Sequence, residues 1–308
     1  GTELASASTG MTPLQLQGET LRHLTQAPVA KLTIGGLENT GGITVSGDLS
    51  SPMQLLLSSS GTVNVGANAV LEASKKVGIE GSAVTVAGSV RVSDGKRGGA
   101  ITIVGDRVAL ADTARLSATG EEAGGLIQLG GSWQNSNPSI RQALQTEVAK
   151  GAVVDASATR LGSGGTIVAW SDVYSAASYT QAYGTFLAKG GALGGDGGRI
   201  ETSGHGLDVA GIRVSTAAEY GQAGLWLLDP SNIVIDSTTL QASKNIIFDG
   251  TYINAGSGSL YLNAGSGRVS GTGTIALGTQ SAAGGALVFD VATNGSLAQN
   301  RLGYTTGN

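Results

Sequence analysis

A pair of adjacent glycines followed by a short β-branched run recurs along this chain. It appears at Gly98-Gly-Ala-Ile-Thr-Ile103, Gly124-Gly-Leu-Ile-Gln-Leu129, Gly164-Gly-Thr-Ile-Val168 and Gly197-Gly-Arg-Ile-Glu-Thr202, with a weaker copy at Gly284-Gly-Ala-Leu-Val-Phe289. The first four starts lie 26, 40 and 33 residues apart. A second landmark keeps the same beat: Leu116-Ser-Ala-Thr-Gly120, Val154-Asp-Ala-Ser157, Leu187-Ala-Lys-Gly190 and Val214-Ser-Thr-Ala217. Self-similarity at a period of this size marks a repeat architecture. The base unit is a coil in the mid-twenties of residues, lengthened in places by inserted loops.

Within each unit the apolar residues alternate with period two, as half-buried strands require. Examples are Leu32-Thr-Ile34, Ile43-Thr-Val45, Val63-Asn-Val65, Val84-Thr-Val86, Val90-Arg-Val92, Val108-Ala-Leu110, Ile212-Arg-Val214 and Leu260-Tyr-Leu262. Runs this short form no stable hairpin alone and need neighbours stacked on either side. The expectation is an all-β solenoid, a right-handed parallel β-helix with short loop or helical insertions, its glycines serving corners of positive φ. Twelve or so coils at about 4.8 Å each would make a rod on the order of 60 Å long. A β-sandwich is the competing fold, but its hairpins at intervals of about 8 to 12 residues explain neither the Gly-Gly phrase nor its spacing. Helical periodicity is confined to Leu14–Leu24 and Ile140–Val148.

Composition removes several function classes. Of 308 residues, 51 are Gly and only 13% are charged, and there is no Cys. Average usage is about 7% Gly and about 25% charged. The Gly residues follow no three-residue period, which excludes collagen, and 40% hydrophobic content with 5 Pro argues against a disordered linker. A net charge of −4 offers no basic field for a phosphate backbone, so no nucleic acid is expected as a partner. No apolar run approaches the roughly 18 residues that span a bilayer, and no signal peptide opens the chain. The absence of Cys fits either a cytosolic protein or a chain exported unfolded, and the second reading agrees better with the rest.

One stretch is more specific. From Gly164 to Asp236 the chain reads Gly-Gly-Thr-Ile-Val-Ala-Trp-Ser-Asp, then Tyr183-Gly-Thr-Phe-Leu-Ala-Lys-Gly-Gly191, Gly194-Gly-Asp-Gly-Gly198, Glu201-Thr-Ser-Gly204 and Trp226-Leu-Leu-Asp-Pro-Ser-Asn-Ile-Val-Ile-Asp236. This resembles the filamentous-haemagglutinin-type exoproteins of bacterial two-partner secretion, in the group of the high-molecular-weight adhesins and haem–haemopexin utilisation exoproteins. The resemblance covers about residues 40–236. The paired Asn-Pro-Asn signatures of the amino-terminal secretion domain are missing, which points to the β-helical region downstream of it.

The resemblance implies that residues 1–308 are a single β-helix segment of a larger secreted or surface exoprotein. Residues 1–30 are its less certain start, 132–150 a loop excursion and 237–308 further coils. It implies a non-enzymatic adhesin acting in cell adhesion, virulence or biofilm, at the bacterial surface or outside the cell. Its partners would be a host glycan, a matrix protein or a bacterial exopolysaccharide, with an outer-membrane two-partner transporter serving the parent protein. The alternatives are a structural stalk presenting regions located elsewhere, and a polysaccharide-active β-helix enzyme.

Function on such a scaffold belongs to its decorations. The excursion carries Trp133, Gln134, Asn135, Asn137 and Arg141, a set suited to stacking on sugars and hydrogen bonding, and Trp133 packing on the rod is the structural alternative. A second polar and aromatic group is Tyr174, Tyr179, Gln181 and Tyr183. For an enzyme, Asp106, Asp172, Glu201 and Asp208 are the carboxylates in question, since glycoside hydrolysis uses two of them about 5 to 10 Å apart. Asp196, among four glycines, reads as a tight corner, because no Lys and Ser or Thr follow as a phosphate loop requires. His23 and His205 are too far apart in sequence to suggest a zinc or haem site, so no cofactor and no metal are expected. Trp226 reads as core, Asp229-Pro230 as a turn out of its coil, and Asn294-Gly-Ser296 as a lone glycosylation triplet.

Overall fold

Alternation such as Thr62-Val-Asn-Val65 places every second side chain on one face, and the chain buries that face by winding into coils. The computed structural model describes residues 30–230, with the backbone strands Ile233–Val234, Ser259–Asn263, Val269–Ser270, Ala286–Thr293 and Ser296–Ala298. Leu14–Leu24, His23 and Asn294 lie outside the described residues.

Each coil contributes one strand to each of three parallel sheets. The first sheet stacks Leu32–Gly36, Gln54–Ser59, Lys76–Glu80, Ala100–Val104, Leu126–Leu129, Thr166–Trp170, Arg199–Gly204 and Leu225–Pro230, and continues through Ser259–Asn263 to Ala286–Thr293. The second runs from Ile43–Val45 to Gly206–Asp208 and the third from Leu49–Ser51 to Arg213–Ser215. The fold is a parallel β-helix, and the Gly-Gly phrase marks where four successive coils enter the first sheet, at Ala100–Val104, Leu126–Leu129, Thr166–Trp170 and Arg199–Gly204.

Among the described residues seven coils carry all three strands, and inserted loops lengthen some of them. In the first sheet the inward partners Leu55, Val77, Ile101, Ile127, Ile167, Ile200 and Trp226 stack in register at spacings of 22, 24, 26, 40, 33 and 26 residues. The parallel column Leu57, Ile79, Ile103, Leu129 and Ala169 is equally buried. Burying a side chain of this size stabilises by about 1.5–3 kcal/mol, and the core is one uninterrupted column of such side chains. Two inward threonines satisfy corner carbonyls: Thr146 Oγ1 donates to the Trp170 carbonyl at 2.6 Å and Thr180 Oγ1 to that of Ser203 at 2.7 Å.

Three local expectations are corrected. In the four repeated phrases that the structure describes, at Gly98, Gly124, Gly164 and Gly197, neither glycine adopts positive φ. Among the described residues the glycines of positive φ are Gly35, Gly95, Gly130, Gly162, Gly194, Gly195 and Gly211. The pairs are glycine because neighbouring coils approach so closely there. A Cβ on Gly165 would stand 1.9 Å from the Gly125 carbonyl oxygen, and one on Gly198 2.0 Å from that of Gly165. Their N–H groups close the coils, donating to Ala156 and Ala188 carbonyls at 2.7 Å.

Ile140–Val148 is not helical. Gln145–Val148 is a strand of the second sheet, with Thr146 and Val148 buried and Gln145 and Glu147 exposed. Parallel pairing with Arg107–Leu110 and Tyr179–Ala182 on either side overrides the local helical pattern. Among the described residues the inserted helix reduces to a 3₁₀ turn at Trp133–Asn135. Finally, Asp229-Pro230 does not turn out of the coil. Both residues end the strand Leu225–Pro230, paired with Ser203 and Gly204, and a strand end tolerates proline's missing N–H.

Candidate functional site

From Ala100–Val104 to Arg199–Gly204 the first sheet is buried on both faces, although only one face meets the core. Its outer face is covered by the excursion, which leaves the rod after the buried Ser132 and returns at the buried Ala143 before the chain rejoins the second sheet. Gln134 and Asn135 turn the excursion in left-handed conformations, at φ 45° and 50°. The Gln134 N–H donates to Glu201 Oε2 at 2.8 Å. Trp133 lies under Arg199, whose guanidinium carbon is 4.3 Å from the ring centroid, while Arg199 Nε donates to Thr166 Oγ1 at 3.0 Å.

The other excursion residues are also occupied in holding it. Trp133 Nε1 donates to Gln134 Oε1 at 3.1 Å. Asn137 Oδ1 accepts from the Ser139 N–H and hydroxyl, and the Asn137 N–H donates to Ser132 Oγ. Arg141 Nη2 donates to Asp106 Oδ1 at 2.5 Å, an ion pair with both side chains partly exposed. Gln142 accepts from Trp170 Nε1 at 3.1 Å. The first predicted set is therefore brought together, as a fastening.

Beneath the fastening sits Glu201, fully buried yet pointing away from the core. Ser203 Oγ donates to its Oε1 at 2.8 Å. Burial pushes its carboxyl up to about 7, against the lowering effect of the Gln134 N–H and Ser203 hydroxyl, and the charge of Asp229 adds to the rise. Asp229 lies one coil on, beside Ser203 in the register, and burial pushes it up to about 6. The partnership of Glu201 with Asp229, and of Trp133 with Arg199, is not visible in the sequence, because it depends on coil register.

The second set lies on the outer face of the second sheet. Tyr179 and Gln181 point outward from Tyr179–Ala182, and Asp208 is the register partner of Gln181. The Tyr183 hydroxyl donates to Asp208 Oδ2 at 2.8 Å and accepts from Gln181 Nε2 at 2.8 Å. Tyr179 lies against Gly206, where a Cβ would come within 2.3 Å of its ring. Burial raises both phenols above their usual value, and the Asp208 carboxylate adds to each rise. Tyr174 makes none of these bonds. It stands 84% exposed on the turn 171–178, its N–H donating to Asp172 Oδ1.

The four carboxylates proposed for an enzyme are dispersed. Glu201 faces out from the first sheet and Asp208 from the second, Asp172 caps a turn, and Asp106 is paired with Arg141. Asp196 acts as a corner residue: its Oδ1 accepts the Gln222 N–H at 2.8 Å. His205 is half-buried on its turn, with Nδ1 3.4 Å from the Val173 carbonyl. Trp226 is in the core, donating to Thr202 Oγ1. Among the described residues no group of three or more His, Asp or Glu gathers to hold a metal, and no helix is long and apolar enough to cross a membrane.

No family model matches the chain, and neither does any curated protein. Among solved structures it is similar to the HMW1 secretion domain from Haemophilus influenzae, with a TM-score of 0.40 and 20% identity. The match covers 61% of this chain and spans 61% of that one. The β-helix itself rests on the strand pairing described above.

Proposed function

We propose that this chain is a β-helical rod segment of a secreted bacterial surface exoprotein, non-enzymatic, that binds a glycan or matrix component through the outer face of its second sheet. The observation that carries the reading is the Tyr179, Gln181, Tyr183 and Asp208 cluster. It offers an aromatic ring, an amide and a carboxylate on one rigid sheet surface, the mix of apolar area and fixed polar groups that recognition sites use. The excursion set is a weaker candidate, because its ring and its cation, Trp133 and Arg141, are engaged with Arg199 and Asp106 of the rod. The resemblance of Gly164–Asp236 to two-partner exoproteins supports the secreted setting, with an outer-membrane transporter as the parent's export partner.

The test is an array of glycans, exopolysaccharides and matrix proteins probed with the purified chain, with Tyr179→Ala and with Tyr183→Phe. Specific binding, abolished by Tyr179→Ala and weakened by Tyr183→Phe, is the expected result. A folded protein that binds nothing would favour the stalk reading, and release of sugar from a bound polysaccharide would favour an enzyme.

A further inference from the structure

We propose that the segment 133–142 is a pH-sensitive strap, seated on the first sheet while Glu201 is protonated and driven off it when Glu201 ionises. The inference is independent of the ligand-binding reading, since it concerns the opposite decoration and needs no ligand.

Three observations carry it. Glu201 is an acid with no exposed surface, and the strap itself, through the Gln134 N–H, completes its cover. A buried carboxylate without a neutralising cation resists ionisation. The strap is held in a strained shape at Gln134 and Asn135, and left-handed non-glycine residues persist only when their surroundings enforce them. The charged groups around Glu201 are few. Arg199, two residues earlier, lends some favourable charge but is engaged with Trp133 and Thr166. Asp229 on the next coil opposes ionisation. The preceding strand Thr166–Trp170 has no titratable side chain, and the strap contributes only Arg141, which is paired with Asp106.

The sign follows from linkage. With the strap seated, burial outweighs the Gln134 N–H, which favours the carboxylate, and raises the Glu201 carboxyl from 4.5 to about 7, so the seated state binds the proton more tightly than the lifted one. Seating is fully favoured below about pH 4.5 and is lost progressively as pH rises through 7. Lifting would uncover Glu201 with the outward-facing Val168 and Leu227, which share its column.

Hydrogen exchange at the amides of Gln134 to Asn137, corrected for the intrinsic pH dependence of exchange, reads the strap directly. From pH 5 to pH 8 protection should fall on the order of 50-fold in the unmodified protein, while the ladder amide of Val154 is unchanged. Glu201→Gln should hold protection high and flat across that range. Asp229→Asn, which removes the opposing charge, should give a smaller fall and serves if Glu201→Gln does not fold. A pH-independent strap in the unmodified protein would overturn the proposal. So would an undiminished fall in Glu201→Gln, or in Asp229→Asn.

Discussion

At the scale of single residues, the glycines divide by the reason each is glycine. Gly95 has a left-handed φ of 91° and open space around it. Gly165 has an ordinary φ, but its missing Cβ leaves room for the Gly125 carbonyl of the adjoining coil. The sequence shows both as punctuation, so the corners were legible and their cause was not: composition cannot distinguish a torsional requirement from close backbone approach. Gly165→Ala should destabilise by about 3 kcal/mol, since overpacking against rigid backbone has no side chain to displace. Gly36→Ala, with nothing within 4 Å, should stay within about 0.5 kcal/mol. Urea denaturation of the two variants measures the contrast.

At the scale of the strand, register decides what a side chain does. The repeat as read in the sequence aligns Leu187 with Val154, but the structure pairs Phe186 with Val154 and Leu187 with Asp155. A shift of one residue moves every side chain to the opposite face, and Phe186 is fully buried while Leu187 is half-buried on the outside. Phe186→Ala should therefore cost about 3–5 kcal/mol and Leu187→Ala less than about 1 kcal/mol, with thermal unfolding as the readout. The same dependence limited the candidate site. Trp133 and the tyrosines were recognisable by type, whereas Arg199 and Asp229 acquire their roles only when coils of 33 and 26 residues are stacked. The strand at Gln145–Val148 was hidden for a related reason, because its inward residues are Thr146 and Val148, and Thr146 reads as polar until its hydroxyl has the Trp170 carbonyl to bond.

At the scale of the whole molecule, a solenoid gains stability from each coil's contact with its neighbours, so insertions such as 133–142 lengthen the sequence without changing the rise. The rod is thus built independently of what decorates it. This independence is tested most directly by pairs of spin labels, which the absence of native cysteine makes simple to place. With one label at Ser50 and the second at Ser117, Asp155 or Leu187, the labels occupy one outward column of the third sheet, three, four and five coils away. The expected separations are roughly 14, 19 and 24 Å, an equal step of about 4.8 Å per coil, although the sequence advances by 38 residues in one step and 32 in the next. Distances that follow sequence separation, or that fail to rise in order, would contradict that independence.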